Sequence, residues 1–347
     1  MKKPLRYAII GSGAAGTEAA CQLRLRDPES EITVITASKL QFISRYDLPR
    51  VFEGVDDWRE LLVYPPEFYE DNRITVRRNT WVAGVNPREN KLNFRHKEEM
   101  SYDKLLVASG GGGYMPEALR EFLPYMNPFS TFSNAARLRD SLGKKGKVLM
   151  LGSDMVGLDL ARYLTSAGHD VTVYANELLF WPHEIKPEDT APYVKALETM
   201  GIKVVFGRKP VAVEPVNSSS KAGKYTRRLV FEKGKAELAN VVMPFYGLMP
   251  ALDFMIGANV DIERGLLVNP ELKTTNDRIW AAGDVCQIWS PEENRYSFYY
   301  GWNNVKEMGH LAAHNMTGDN REIKTAQTNE LKITKKGELH SPYWEHD

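Results

Sequence analysis

The residues best suited to do chemistry in this chain are glycines. The run GSGAAG at Gly11 to Gly16 follows the apolar stretch Tyr7-Ala8-Ile9-Ile10 and leads into a helical pattern at 17–25 and a second strand at 32–35. Strand, glycine turn, helix and strand in that order form a seat for the pyrophosphate of a dinucleotide. Gly11 makes the tight turn, Gly13 lets the pyrophosphate approach the backbone, and Gly16 allows close helix packing. A second turn, GSDMVG at Gly152 to Gly157, follows the buried strand pattern at 147–151 and precedes a helical pattern at 158–164 and a strand at 171–173. Two such turns imply two dinucleotides.

The elements that must position these turns follow from hydrophobic patterning. AAGDV at Ala281 to Val285 answers the first turn from the far half of the chain, so one domain is left and re-entered, with an insertion between. The loop QFISRYDLPR at 41–50 is too aromatic and basic for a plain linker and is expected to line something. Residues 90–96 have hairpin character, and 102–108 read as a buried strand ending in the glycine run 110–113, where the chain first crosses between domains. A helix is expected at 135–142, a strand at 201–206, an antiparallel meander over 212–238 with a polar loop at 217–224, a strand at 241–245 and a helix at 305–315. The predicted fold is α/β, with two Rossmann-like dinucleotide-binding domains, the second inserted in the first, each with a small antiparallel meander. Residues 1–112 and 251–318 form the first domain, 113–250 the insertion, and 319–347 a C-terminal tail.

Composition narrows the function. The 347 residues are 43% apolar and 26% charged, and 45 basic side chains balance 45 acidic ones, so no global field favours nucleic acid or an anionic membrane. No stretch approaches the roughly 20 apolar residues of a membrane span. The N-terminus enters a strand without a secretory pattern, which predicts a cytoplasmic protein. Cys21 and Cys286 form no C-x-x-C pair, so an internal redox dithiol is not expected. Cys286 reads as a buried small residue in preference to a reactive thiol. The histidines show no metal-ligand spacing, and no metal is assigned.

With these motifs the chain resembles the two-dinucleotide flavoprotein reductases of the pyridine-nucleotide-disulfide oxidoreductase superfamily, and within it the ferredoxin- and rubredoxin-reductase-like branch. Four segments carry the likeness in family order, GSGAAG at 11–16, SYDKLLVASG at 101–110, LGSDMVGLDLA at 151–161 and GLLVNPELKTTNDRIWAAGDV at 265–285, and WNNVKEMGHLAAHNMTG at 302–318 supports them. The resemblance implies FAD in the first domain. It assigns Gly11, Gly13, Ala14, Ala15 and Gly16 to the pyrophosphate turn, Thr36 to the adenosine ribose, and Ser44 and Arg45 to the flavin surroundings. Ala108, Ser109, Gly110, Gly283 and Asp284 complete the site, with Asp284 accepting from a ribityl hydroxyl; the alternative for Asp284 is a cap on a following helix. Asn304 and Val305 begin a helix whose dipole would favour negative charge on the reduced flavin. The resemblance further implies NADH or NADPH in the second domain, at Gly152, Ser153, Met155, Val156, Gly157, Asn176, Glu177 and Gly247. Arg50 and Asp159 fall where the family often has a Lys and a Glu that pair across the two domains beside the flavin; the alternative is two unrelated surface charges.

Three departures stand out. Thr36 replaces the acid that normally holds the FAD ribose. Asp154 replaces the central glycine of the second turn, where it either repels a pyrophosphate or turns aside to cap the helix. Ala175 stands where an acid is usual for NADH, and no arginine follows as NADPH would favour; NADH is preferred because 174–180 contain an acid and no base. Only a short segment follows Gly318, so the family's C-terminal domain and its usual dimer interface are expected to be absent or replaced. That segment, from about residue 320, is expected to be a docking element ending in Tyr343-Trp344, the alternative being that it packs back on its own chain.

The resemblance implies an FAD-dependent NAD(P)H oxidoreductase that passes electrons between nicotinamide and a protein acceptor, a ferredoxin-like iron–sulfur protein or another electron-transfer protein. The alternatives are a flavin enzyme acting on a quinone or sulfur compound, and an FAD electron-relay subunit whose inserted domain no longer binds NAD(P)H.

Overall fold

The computed structural model describes residues 3–175, 180–183, 185–216, 225–324 and 331–344. By its contacts the chain divides into two compact units: Met1–Ser44, Leu62–Gly112 and Met249–Thr328 form one, and Arg45–Leu61, Gly113–Leu248 and Asn329–Asp347 the other.

The first unit is built on a five-stranded parallel sheet, ordered Ile279–Ala281, Lys104–Val107, Arg6–Ile10, Glu31–Ile35, Ile74–Arg77. Its central strands are apolar at nearly every position because helices and loops cover both faces. Tyr7, Ala8 and Ile9 are buried, as are Leu105, Leu106 and Val107. Helix Ala14–Arg26 crosses from the first strand to the second and packs tightly on helix Trp302–Met316. The approach is close enough that a Cβ on Gly309 would lie 2.3 Å from the Ala15 carbonyl oxygen. Strands Val82–Asn86, Lys91–Phe94 and Glu99–Ser101 form the antiparallel meander. The hairpin expected at 90–96 is its central strand with the following turn.

In the second unit a four-stranded parallel sheet runs Lys203–Val205, Asp170–Tyr174, Lys147–Leu151, Val241–Pro244. Helix Met155–Ser166 provides its first crossover, and strands Pro210–Pro215, Arg227–Phe231 and Glu237–Ala239 form a second meander. The polar loop expected at 217–224 lies outside the described residues. Helix Phe132–Leu142 is capped by the Thr131 hydroxyl, which accepts from the Asn134 N–H at 3.1 Å.

Two segments go with the second unit for reasons that local pattern does not carry. In Arg45–Leu61, Leu48 and Val51 are buried, and Arg139 donates to the Val51 and Val55 carbonyls at 3.4 Å and to Asp56 at 2.6 Å. The C-terminal segment pairs Lys332–Ile333 with Leu339–His340 and ends in a turn, Pro342–Trp344. Tyr343 and Trp344 are 4% and 6% exposed, so the aromatic pair expected to dock a partner is spent on this chain's own core. Burying two large rings within the chain outweighs leaving them in solvent. Among the described residues no helix is long and apolar enough to cross a membrane.

Candidate functional site

The two glycine turns repeat one backbone design. Gly11, at φ +110°, donates its N–H to the Ile35 carbonyl at 2.8 Å, and a Cβ there would lie 2.1 Å from the Ala108 oxygen. Gly152, at φ +89°, donates to the Tyr174 carbonyl at 3.0 Å, and a Cβ there would lie 2.1 Å from the Phe245 oxygen. In each case the turn is wedged between the ends of two parallel strands, with no space for a side chain. The last glycines are equally confined: a Cβ on Gly16 would lie 2.0 Å from the Gly11 oxygen, and one on Gly157 2.5 Å from the Phe245 ring.

The turns differ at the middle position. Around Gly13 nothing lies within 4 Å of where a Cβ would be, and no side chain caps the helix that begins at Ala14. A helix start presents unsatisfied N–H groups and the positive end of the dipole, which suit an anion. At the corresponding place the Asp154 carboxylate folds over the start of its own helix, accepting from the Gly157 N–H and the Gly247 N–H, each at 2.8 Å. The Met155 N–H donates to the Trp181 carbonyl at 2.8 Å. Of the two expectations for Asp154, the structure selects the cap.

Around the first turn the structure gathers residues far apart in sequence. The Ser109 Cα lies 3.0 Å from the Gly11 Cβ position, while the Gly283 Cβ position is 3.3 Å from the Ala15 methyl and 3.5 Å from Val305 Cγ1. Gly110 and Gly283 both take positive φ, +67° and +84°. The Ser44 and Ser109 hydroxyls are buried with no hydrogen-bond partner. Since buried polar atoms are ordinarily satisfied, the unpartnered Ser109 hydroxyl beside the open, uncapped turn at Gly13 fits a polar ligand such as FAD. Thr36 is buried, and its hydroxyl accepts from the Ser38 N–H at 3.2 Å, which leaves its proton for another acceptor.

Asp284 is followed by strand Cys286–Ser290, so the helix-cap alternative for it falls. Burial pushes the Tyr300 hydroxyl and the Cys286 thiol upward, and the Asp284 charge adds to both. Cys286 is 1% exposed and stays protonated, an inert core residue as expected. Helix Trp302–Met316 begins at Gly301 with no side-chain cap, and the Asn304 side chain donates to the Tyr300 carbonyl at 2.8 Å.

Arg50 and Asp159 find local partners. Arg50 lies 3.6 Å from Asp47 and Asp159 lies 2.6 Å from Arg162, each an i,i+3 pair. A partner one helical turn away needs less ordering than one held by a distant segment. Both residues fall in the second unit, where the short segment Leu48–Glu53 that carries Arg50 packs on the helix Met155–Ser166 that carries Asp159, so a pair between them would lie within that unit. Arg45 is exposed and also belongs to the second unit. Asn176 and Glu177 lie outside the described residues.

Sequence reasoning missed the groups that close the second turn. A Cβ on Gly247 would meet the Trp181 ring at 3.1 Å. The Trp344 indole N–H donates to the Met155 carbonyl at 2.9 Å, and the Arg162 guanidinium lies over the Trp344 ring at 4.8 Å. The only hint was the aromatic content of 180–181 and 343–344.

Two Rossmann-like folds, one inserted in the other, each with a three-stranded meander, make up the architecture of the two-dinucleotide flavoprotein reductases. The family model described as pyridine nucleotide-disulphide oxidoreductase matches residues 5–318, and the chain belongs to that family. It is 25% identical over 286 residues to subunit epsilon of an NADH-dependent phenylglyoxylate dehydrogenase from Aromatoleum evansii, covering 80% of this chain and 64% of that one. It is 25% identical over 293 residues to an NADH-rubredoxin oxidoreductase from Clostridium acetobutylicum, covering 83% and 69%. Among solved structures, a covalent putidaredoxin reductase–putidaredoxin complex superposes with a TM-score of 0.81 at 20% identity, covering 94% of this chain and 78% of that one. The chain thus spans about two thirds of the length of these curated relatives.

Proposed function

We propose that the protein is an FAD-dependent oxidoreductase that passes electrons between NAD(P)H and a small electron-transfer protein of ferredoxin-like, iron–sulfur type. The observation that carries the flavin half is the Gly11–Gly16 cradle, closed to side chains at both ends and open at Gly13, with the unpartnered Ser109 hydroxyl beside it. Bound FAD supplies the conversion between hydride transfer and single-electron transfer. The chain's part is to hold and orient. The N–H groups after Gly13 would hold the pyrophosphate, Asp284 would accept from a ribityl hydroxyl, and the uncapped start of helix Trp302–Met316 would favour negative charge on the reduced flavin. Family membership supports this reading, as do relatives named for NADH and rubredoxin. The nicotinamide is NADH in preference to NADPH. A reducing compartment such as the cytoplasm suits a chain whose two cysteines are both free.

A second reading, favoured by the Asp154 contacts, is an electron-relay subunit whose inserted unit no longer takes a nicotinamide. One of the similar proteins is itself named as a subunit of a larger dehydrogenase. Anaerobic titration of the flavin-loaded protein separates the two. Bleaching by NADH or NADPH supports the reductase, bleaching by dithionite alone supports the relay, and a protein that retains no FAD defeats both.

A further inference from the structure

We propose that Asp154 is an internal competitor for the dinucleotide pyrophosphate: with the Trp181 carbonyl it occupies the N–H groups that a nicotinamide dinucleotide must use, and so sets the affinity of the inserted unit. The inference rests on the reading of that unit as the nicotinamide domain. The comparison of the two turns carries it. The first glycines are matched, each with a positive φ and a Cβ position 2.1 Å from a strand-end carbonyl oxygen, and the last glycines are both closed to a side chain, so the second turn retains the tight start of a pyrophosphate turn. Its middle position, open in the first turn, holds a carboxylate that is 3% exposed and hydrogen-bonded to Gly157 and Gly247. An entering pyrophosphate would meet N–H donors already in use and a like charge at close range. Because the carboxylate is tethered one residue from the helix, it competes at a high effective concentration whatever the ligand concentration.

A second observation bears on what the closed turn lacks. The Ser153 hydroxyl, next to Asp154, is buried with no hydrogen-bond partner, so the turn filled by Asp154 still leaves a polar group that a ligand would satisfy. The C-terminal segment reinforces the closed state. Trp344 is bonded to the carbonyl of Met155, the first residue of the helix, and Ser341 lies 3.3 Å from the His183 ring, two residues past Trp181. Tyr343 packs on Tyr46 at 5.6 Å between ring centres.

The test measures dissociation constants for NADH and NADPH by isothermal titration on the FAD-loaded full chain, comparing wild type with Asp154→Gly and Asp154→Asn. Asp154→Gly restores the open middle position and is expected to bind at least one of the two nucleotides about tenfold or more tightly than wild type. Asp154→Asn keeps the shape and one acceptor while removing the charge, and is expected to fall between; should the glycine variant lose its cap and fail to fold, the asparagine variant decides alone. Equal, measurable binding by wild type and both variants overturns the inference and leaves the nicotinamide reading standing. Absence of binding in all folded, FAD-retaining variants overturns the inference and the nicotinamide half of the proposed function together.

Discussion

The Asp154 carboxylate accepts the backbone N–H of Gly247 at 2.8 Å, although 93 positions separate the two residues. That one bond ties the start of helix Met155–Ser166 to the loop beyond strand Val241–Pro244, and it closes the second glycine turn with the chain's own charge.

Asp154 also makes stability depend on pH in a defined direction. Burial pushes its carboxyl up to about 6 from the ordinary 3.8, against the opposing bonds from Gly157, Gly247 and Val156. The folded state therefore binds this proton more tightly than the unfolded chain. The resulting stabilisation is fully present below about pH 4 and is lost as pH rises through about 6. The stability of wild type relative to Asp154→Asn is expected to fall over that window, by roughly 1.4 kcal/mol per pH unit at its steepest, and to be flat above it. Urea denaturation of both proteins between pH 4 and 8 measures this; a difference that does not change with pH defeats it.

Gly13→Asp would give the first turn the residue that the second turn has. Gly13 is at φ −81° with open space at its Cβ position, so aspartate fits without strain and can cap helix Ala14–Arg26. The expected product is a folded protein whose FAD content is reduced more than tenfold, read from the 450 nm absorbance of the purified protein against its circular dichroism. Retention of full flavin content would remove Gly13 from the pyrophosphate seat.

Gly309→Ala tests the close crossing of the two helices of the first unit. The added carbon would lie 2.3 Å from the Ala15 carbonyl oxygen, so the helices must move apart, with a destabilisation of roughly 1–3 kcal/mol. Unfolding by urea gives the number, and because Ala15 adjoins Gly283 at the first turn, flavin affinity is expected to weaken as well. A variant with wild-type midpoint and flavin content contradicts the geometry.

Trp344→Ala removes a ring that is 6% exposed, its bond to the Met155 carbonyl and its stacking under Arg162. A loss of roughly 3 kcal/mol is expected, as for other large-to-small changes at buried aromatic sites. If stability is untouched, the C-terminal segment is a docking element after all.

Much of this protein is legible one segment at a time. Strand, glycine turn, helix and strand at 6–35 and at 147–174 are set by patterning and by the positive φ that glycine readily takes at Gly11 and Gly152, each within about thirty residues of chain. The order of the motifs was enough to predict two nested dinucleotide folds with their meanders. Three features followed from tertiary structure alone. Asp154 could repel or cap, and the choice was made by the N–H of Gly247, a partner no local pattern identifies. Arg50 and Asp159 carry the charges of a bridge between two domains, but folding puts both in one unit and gives each a partner three residues away as well. Tyr343 and Trp344 are equally apolar whether they dock a partner or their own chain, and what buried them here was the surface offered by Tyr46, Arg162 and the Met155 carbonyl. Sequence spacing determines local geometry because the backbone has few states; the direction of a side chain is decided by which long-range donor or ring it reaches, and that exists only once the chain has folded.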